Sequence, residues 1–175
     1  MMTREEIREI TILPGKNRQG KEEFFDEITI RPGDTLSIVG PTGSGKSAFI
    51  NDIEIFAHRD TSTGRTILVN GSLPPEAFVR DPAAKPVALI TQNTRCLCDL
   101  SVSDFLRMHL SSRGCMNESC IQDTILLANQ FTGEPITGTV RMTSLSGGQT
   151  RSLMVADAIL ISNTPIILLD EVENA

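Results

Sequence analysis

Apolar positions over residues 7–39 fall into short runs, IREITIL, FFDEITI and DTLSIV, broken by PGKNRQG and RPGD, whose Pro and Gly mark turns. This pattern predicts a β-rich start. A glycine-rich stretch, GPTGSGKS, then passes into apolar positions at Phe49, Ile53 and Phe56, the spacing of a helix face. GRTILVNG and KPVALITQ read as two more strands. From residue 91 to about 161 the period lengthens. SVSDFLRMHL, ESCIQDTILLANQ and GGQTRSLMVADAILI predict three helices, with Ser101 and Ser119 in first-turn or cap positions. The closing PIILLDE is apolar on both faces, as a buried parallel strand would be.

Composition adds little to this picture but excludes several classes. With 39% apolar and 22% charged residues the chain reads as globular, and with 4% aromatics and no Trp or Tyr its core must be mostly aliphatic. At 175 residues the expectation is one compact unit. A net charge of −6 argues against a nucleic-acid surface, which needs clustered Lys and Arg. MMTREEIREI carries acids where a signal peptide would carry a basic start, and no apolar run approaches the roughly 20 residues that cross a bilayer. The expected location is the cytoplasm, with any membrane link made through a partner.

The strongest chemical signal is the run Gly40, Pro41, Thr42, Gly43, Ser44, Gly45, Lys46 and Ser47, which fits G-x-x-x-x-G-K-[ST] between a predicted strand and a predicted helix. Its glycines let the loop curl so that successive N–H groups point inward at phosphate oxygens, and the helix start adds partial positive charge. Lys46 is expected to reach the β- and γ-phosphates, and Ser47 to place its hydroxyl on Mg²⁺. A second anion-binding candidate is Leu145, Ser146, Gly147, Gly148 and Gln149, a Ser-Gly-Gly helix opening with a hydroxyl and exposed N–H groups.

A phosphate loop, a glutamine after a following strand, LSGGQ, and an apolar strand ending in Asp-Glu together resemble the ATP-binding cassette (ABC) ATPases, from about residue 33 to the last. The resemblance implies an α/β P-loop NTPase fold of ABC type. Its parts are a β-rich start and nucleotide-binding core over residues 1–91, a helical subdomain with the signature over 92–161, and a Walker B strand over 162–175. In that family ATP lies between the phosphate loop of one domain and the LSGGQ signature of another. The implied partner is therefore a second cassette, as homodimer or heterodimer, whose nucleotide Ser146, Gly148 and Gln149 would meet. Gln92 matches the Q-loop glutamine, which contacts Mg²⁺ or attacking water. Asp170 would hold Mg²⁺ through water, and Glu171 would orient and polarise the attacking water. ATP and Mg²⁺ are the implied cofactors, and ATP hydrolysis the implied activity. Membrane-spanning subunits of a transporter would place the chain peripherally at the inner face of the membrane. The alternative is a soluble switch in a cytoplasmic assembly.

The chain also departs from the family pattern. Thr150 and Ser152 stand at usually long polar or basic positions and Asp157 where Arg is common, which predicts different surface pairing on that helix. No aromatic residue precedes Phe24, and Phe24 and Phe25 read as strand residues, so the ring that often stacks on adenine has no counterpart. The D-loop, the switch histidine and further strands do not follow Glu171, where VENA stands in place of the usual Pro-Thr-containing stretch. The resemblance therefore implies a cassette with an incomplete C-terminus, an open interior sheet position, and little or no hydrolysis by this chain alone. His58 and His109 match neither role and read as surface or packing residues. Cys96 and Cys98, and Cys115 and Cys120, miss the usual zinc spacings and read as buried or idle thiols, kept reduced.

Overall fold

In a computed structural model, residues 7–17, 19–81, 84–91, 94, 96, 98–114 and 117–170 are described. They form two compact units, residues 1–87 and 88–175, in place of the single unit that chain length leads one to expect.

The first unit is built on an antiparallel sheet of β1 (Ile10–Leu13), β2 (Ile28–Ile30) and β3 (Thr66–Val69), with β1 in the middle. Ile10 pairs with Val69 and Ile12 with Ile67, so alternation puts four apolar side chains on one face, and all four are buried. On the other face Thr11 Oγ1 meets Thr29 Oγ1 at 3.2 Å across the β1–β2 pair. Helix α1 (Lys46–Glu54) buries Phe49, Ile50 and Ile53 and packs beside β3. The chain then turns back, and Ile67 N–H donates to the Ala57 carbonyl at 2.8 Å.

A charged cluster lies within this apolar packing. Arg65 donates from Nε and Nη2 to the Glu23 carboxylate and from Nη1 to Asp52 Oδ2 at 2.6 Å, while its guanidinium carbon sits 4.7 Å from the centre of the Phe49 ring. Its side chain is 5% exposed, against 15% for Glu23 and 2% for Asp52. Because Asp52 and Phe49 both belong to α1, the arginine that leads into β3 holds that helix in place. The short helix α2 (Glu76–Arg80) completes the unit. Five residues are too few to show a period, but Pro75 at its cap, Glu76 in its first turn and Arg80 in its last are all placed to suit a helix dipole.

The second unit holds helices α3 (Val102–Ser112), α4 (Ser119–Asn129) and α5 (Gly147–Leu160), and a two-stranded sheet of β4 (Val87–Ile90) and β5 (Ile166–Leu169). The helical core gathers Val102, Leu106 and Leu110 from α3, Ile121, Ile125 and Ala128 from α4, and Leu153 and Ala156 from α5. Spacings of three and four align each set on one face. Burying a side chain such as Leu106 contributes roughly 1.5–3 kcal/mol. The Ser101 hydroxyl caps α3 by accepting from Asp104 N–H at 3.1 Å, and the N–H groups of Val102 and Ser103 donate to the carbonyls of Val140 and Gly138. The connection ahead of α5 is thereby laid across the start of α3. Ser119 is the first residue of α4. Asn129 ties the end of α4 to the following loop through both its amide atoms, each bonded to Ile136 backbone.

Three expectations are corrected. DTLSIV, expected as a strand, is not one: residues 35–39 pair with no described strand, and Leu36 and Val39 are exposed. Strand propensity without a neighbour to accept its ladder does not make a strand. PIILLDE does form β5, but Ile166, Ile167 and Leu168 are half-buried and Leu169 is 42% exposed. A two-stranded sheet is too narrow to give a strand the doubly covered setting its composition suggests. Phe24 and Phe25 precede β2 instead of lying in it. Phe24 is fully exposed at a bend, and the Phe25 ring lies 6.4 Å from that of Phe49.

Candidate functional site: a phosphate loop and a signature helix

Residues 40–47 form a tight turn leading into α1. Ser44 N–H donates to the Pro41 carbonyl at 3.1 Å, and Gly43 and Gly45 take φ of +84° and +99°, the left-handed region that glycine adopts without strain. Gly45 caps α1, and Phe49 N–H reaches back to its carbonyl at 2.9 Å. No side chain caps the helix, and no acid stands in its first turn. The leading N–H groups of α1 are therefore available to an external acceptor.

Lys46, the first residue of α1, folds back over the loop, its ammonium donating to the Gly40 carbonyl at 2.6 Å and the Pro41 carbonyl at 3.2 Å. This keeps the positive charge over the turn and away from the helix body. A Cβ at Gly40 would lie 2.8 Å from Ser44 Oγ, so a larger residue there would require the serine side chain to turn away. Ser47 is exposed in the first turn of α1. A concave turn with an uncapped helix start and one cation suits a phosphate chain. A cavity of about 590 Å³ in the same unit is lined by Pro14, Lys16, Glu22, Arg59, Thr61 and Gly64, among others, and by no loop residue. Residues 41–44 and Ser47 are exposed, so this turn is an open surface feature of its unit.

In the second unit, Leu145 is half-buried and Ser146 caps α5. Ser146 Oγ accepts from Gln149 N–H at 3.2 Å, and Gln149 Oε1 accepts from Ser146 N–H at 2.9 Å, a reciprocal capping box. Gln149 also donates from Nε2 to the Glu134 carbonyl at 3.3 Å. A Ser followed three residues later by Gln spells this box in the sequence, a signal that anion-binding arguments pass over. Gly147 and Gly148 are exposed: a Cβ on the first would meet nothing, and on the second only Ser146 Oγ at 4.0 Å. Nothing among the described residues requires glycine at either position. The outer side of the helix start is open, as an approaching ligand would need it to be.

Asp170 is half-buried just beyond β5, and its N–H donates to the Ile90 carbonyl at 3.0 Å, which fixes the backbone at that strand end. Gln92 and Glu171 lie outside the described residues. Ser47 and Asp170 offer hard oxygen atoms, a donor set suited to Mg²⁺. They belong to different units, Ser47 to the first and Asp170 to the second.

The departures on α5 are buried instead of forming a surface pattern. Thr150, Ser152 and Asp157 all face inward; Ser152 Oγ donates to the Phe131 carbonyl at 3.3 Å, and Asp157 Oδ1 lies 2.8 Å from His109 Nδ1. A carboxylate at 157 therefore serves a helix-to-helix contact between α5 and α3. His109 is a packing residue, and His58 is exposed in a bridge to Thr66.

Comparison with known proteins decides the family. The family model described as ABC transporter matches residues 26–174. The chain belongs to the ABC transporter family. Among ABC relatives, an uncharacterized ABC transporter ATP-binding protein of Methanocaldococcus jannaschii is 50% identical over 170 residues, which is 97% of this chain and 65% of the relative. A thiamine import ATP-binding protein of Brucella suis is 29% identical over 154 residues, covering 87% of this chain and 60% of its own length. The chain thus spans less than two thirds of the length of these curated relatives.

Among solved ABC structures, a putative ABC transporter ATP-binding protein from Pyrococcus furiosus superposes with a TM-score of 0.66 at 17% identity, covering 95% of this chain and 92% of that one. An ATP-binding cassette solved as a dimer in a post-hydrolysis state with ADP and Pi gives a TM-score of 0.60 at 22% identity, covering 95% and 75%. These likenesses establish the α/β cassette fold. No described helix is long and apolar enough to cross a membrane.

Proposed function

We propose that this chain is the ATP-binding part of an ABC-type ATPase, with residues 40–47 as its phosphate cradle. The observation that carries the reading is the loop itself: glycines at positive φ, an uncapped α1, and the Lys46 ammonium held over the turn. Lys46 exchanges its two carbonyl partners for phosphate oxygens, a charge-assisted and therefore stronger contact. The α1 N–H groups take the remaining oxygens. Ser47, Asp170 and Gln92 are the residues that would hold Mg²⁺, which when bound would supply charge neutralisation on the phosphates. Glu171 orients and polarises the attacking water.

The signature residues Ser146, Gly148 and Gln149 serve the nucleotide of a second cassette. Their capping box is compatible with this role, because the Ser146 hydroxyl accepts within the box and keeps its proton free to donate. The open space over Gly147 and Gly148 supports the same reading. Closure of two cassettes on ATP would transmit work to membrane-spanning subunits, a role supported by the thiamine import relative. The second reading, a soluble switch, is favoured by VENA after Glu171. Co-purification with membrane-spanning subunits supports the first, and a complex that persists without membranes the second.

Titration with a fluorescent ATP analogue tests the cradle. Lys46→Ala removes a hydrogen bond to a charged group worth about 1.5–3 kcal/mol, a loss of roughly 10- to 150-fold in affinity. Unchanged affinity would mean that the loop is not the site.

A further inference from the structure

Cys96 and Cys98 lie in the segment between β4 and α3, and their sulfur atoms face each other at 3.1 Å. A disulfide brings sulfurs to about 2.05 Å, so closure requires only about 1 Å of approach. Both side chains are half-buried and pack against the helical core of α3, α4 and α5, which holds the pair in this arrangement. Among the described residues no group of three or more His, Cys, Asp or Glu could hold a metal ion. Burial pushes the Cys96 thiol above its ordinary range.

We propose that Cys96 and Cys98 are a reversible redox pair that closes into an intrachain disulfide when the protein meets a small-molecule disulfide such as oxidised glutathione. One cysteine gives up its proton and its thiolate attacks a sulfur of the oxidant, breaking the S–S bond and expelling one glutathione thiolate, which takes up a proton. The second cysteine, deprotonated in turn, attacks the cysteine sulfur of the mixed disulfide and expels the second glutathione as its thiol. Two protein thiols are oxidised by two electrons, and one glutathione disulfide is reduced to two thiols. The neighbouring sulfur outcompetes any external thiol because it is already in contact. A ring closed over a single intervening residue is strained, and strained disulfides are the readily reduced, regulatory kind.

The sequence provides a clean readout. Trypsin cleaves after Arg95 and Arg107, so residues 96–107 form one fragment with both thiols, while Cys115 and Cys120 fall on the separate fragment 114–141. The full chain is equilibrated with mixtures of oxidised and reduced glutathione, quenched in acid, alkylated, digested and weighed. The expected result is a 96–107 fragment lighter by two hydrogens under oxidising mixtures, restored by reduced glutathione. Cys98→Ser should instead carry one glutathione on Cys96. The proposal is overturned if the wild-type fragment accumulates glutathione adducts, if it links to fragment 114–141, or if it stays reduced even in a large excess of oxidised glutathione.

Discussion

Arg65 is the residue whose loss most directly tests how the first unit holds its helix. Replacing it with Met keeps most of the volume and removes the charge. Among the described residues, the substitution leaves Asp52, 2% exposed, with the Thr63 hydroxyl at 2.7 Å and Glu23 with the Gly15 N–H at 3.1 Å. Breaking a buried ion pair by removing one partner costs about 3–5 kcal/mol, because the carboxylates left behind are neither solvated nor paired. The lost contact with the Phe49 ring is worth about 0.5–2 kcal/mol by itself and overlaps with this figure. Against a domain stability of about 5–15 kcal/mol, the variant should lose a large share. Urea unfolding followed by far-ultraviolet circular dichroism is the suitable assay, since the chain has no Trp or Tyr to report by fluorescence. Adding Glu23→Gln and Asp52→Asn to the Arg65→Met background should recover part of the loss by removing the stranded charges. A loss below about 1 kcal/mol, or no recovery in the triple variant, would refute the reasoning.

Other outcomes follow from the same contacts. Hydrogen bonding from Arg65 holds the Glu23 carboxyl below its ordinary range. A lowered folded pKa means that the stabilisation is complete above the unfolded value of about 4.3 and is lost as pH falls through the folded value, so Glu23→Gln should flatten the acid limb of unfolding midpoints measured against pH. Ser146→Ala removes the cap of α5 and should cost about 1 kcal/mol in chemical denaturation. In a preparation that hydrolyses ATP, Glu171→Gln should keep nucleotide bound while slowing steady-state hydrolysis by orders of magnitude, with dimers accumulating on a sizing column; turnover at the parent rate would mean that the carboxylate has another role.

The elements that could be read from the chain were those whose signals are local. Ser101 sits at the cap of α3 and Ser119 in the first turn of α4, and the apolar spacing of Phe49 and Ile53 marks the buried face of α1. The turn at residues 40–47 and the helix that follows it were legible for the same reason, because the glycines, lysine and helix start are contiguous. What escaped depends on partners distant in sequence. Residues 35–39 have strand composition but no described neighbour, and β5 is apolar on both faces yet half-buried in a two-stranded sheet. Asp157 looked like a departure on a surface, and only the packing of α5 beside α3 reveals that His109 occupies the other end of the contact. The capping box at Ser146 and Gln149 was written in the sequence but hidden behind a second meaning of the same residues.

The central claim is that residues 40–47 grip the phosphate chain of ATP. Equilibrium titration with ATP in the presence of Mg²⁺, repeated with AMP as competitor and with Lys46→Ala, tests it most directly. Because the grip is on the β- and γ-phosphates, wild-type protein should bind one ATP per chain, AMP should fail to displace it, and the variant should bind roughly 10- to 150-fold more weakly. Displacement by AMP at concentrations comparable to ATP, or equal binding by wild-type and variant protein, would contradict the assignment.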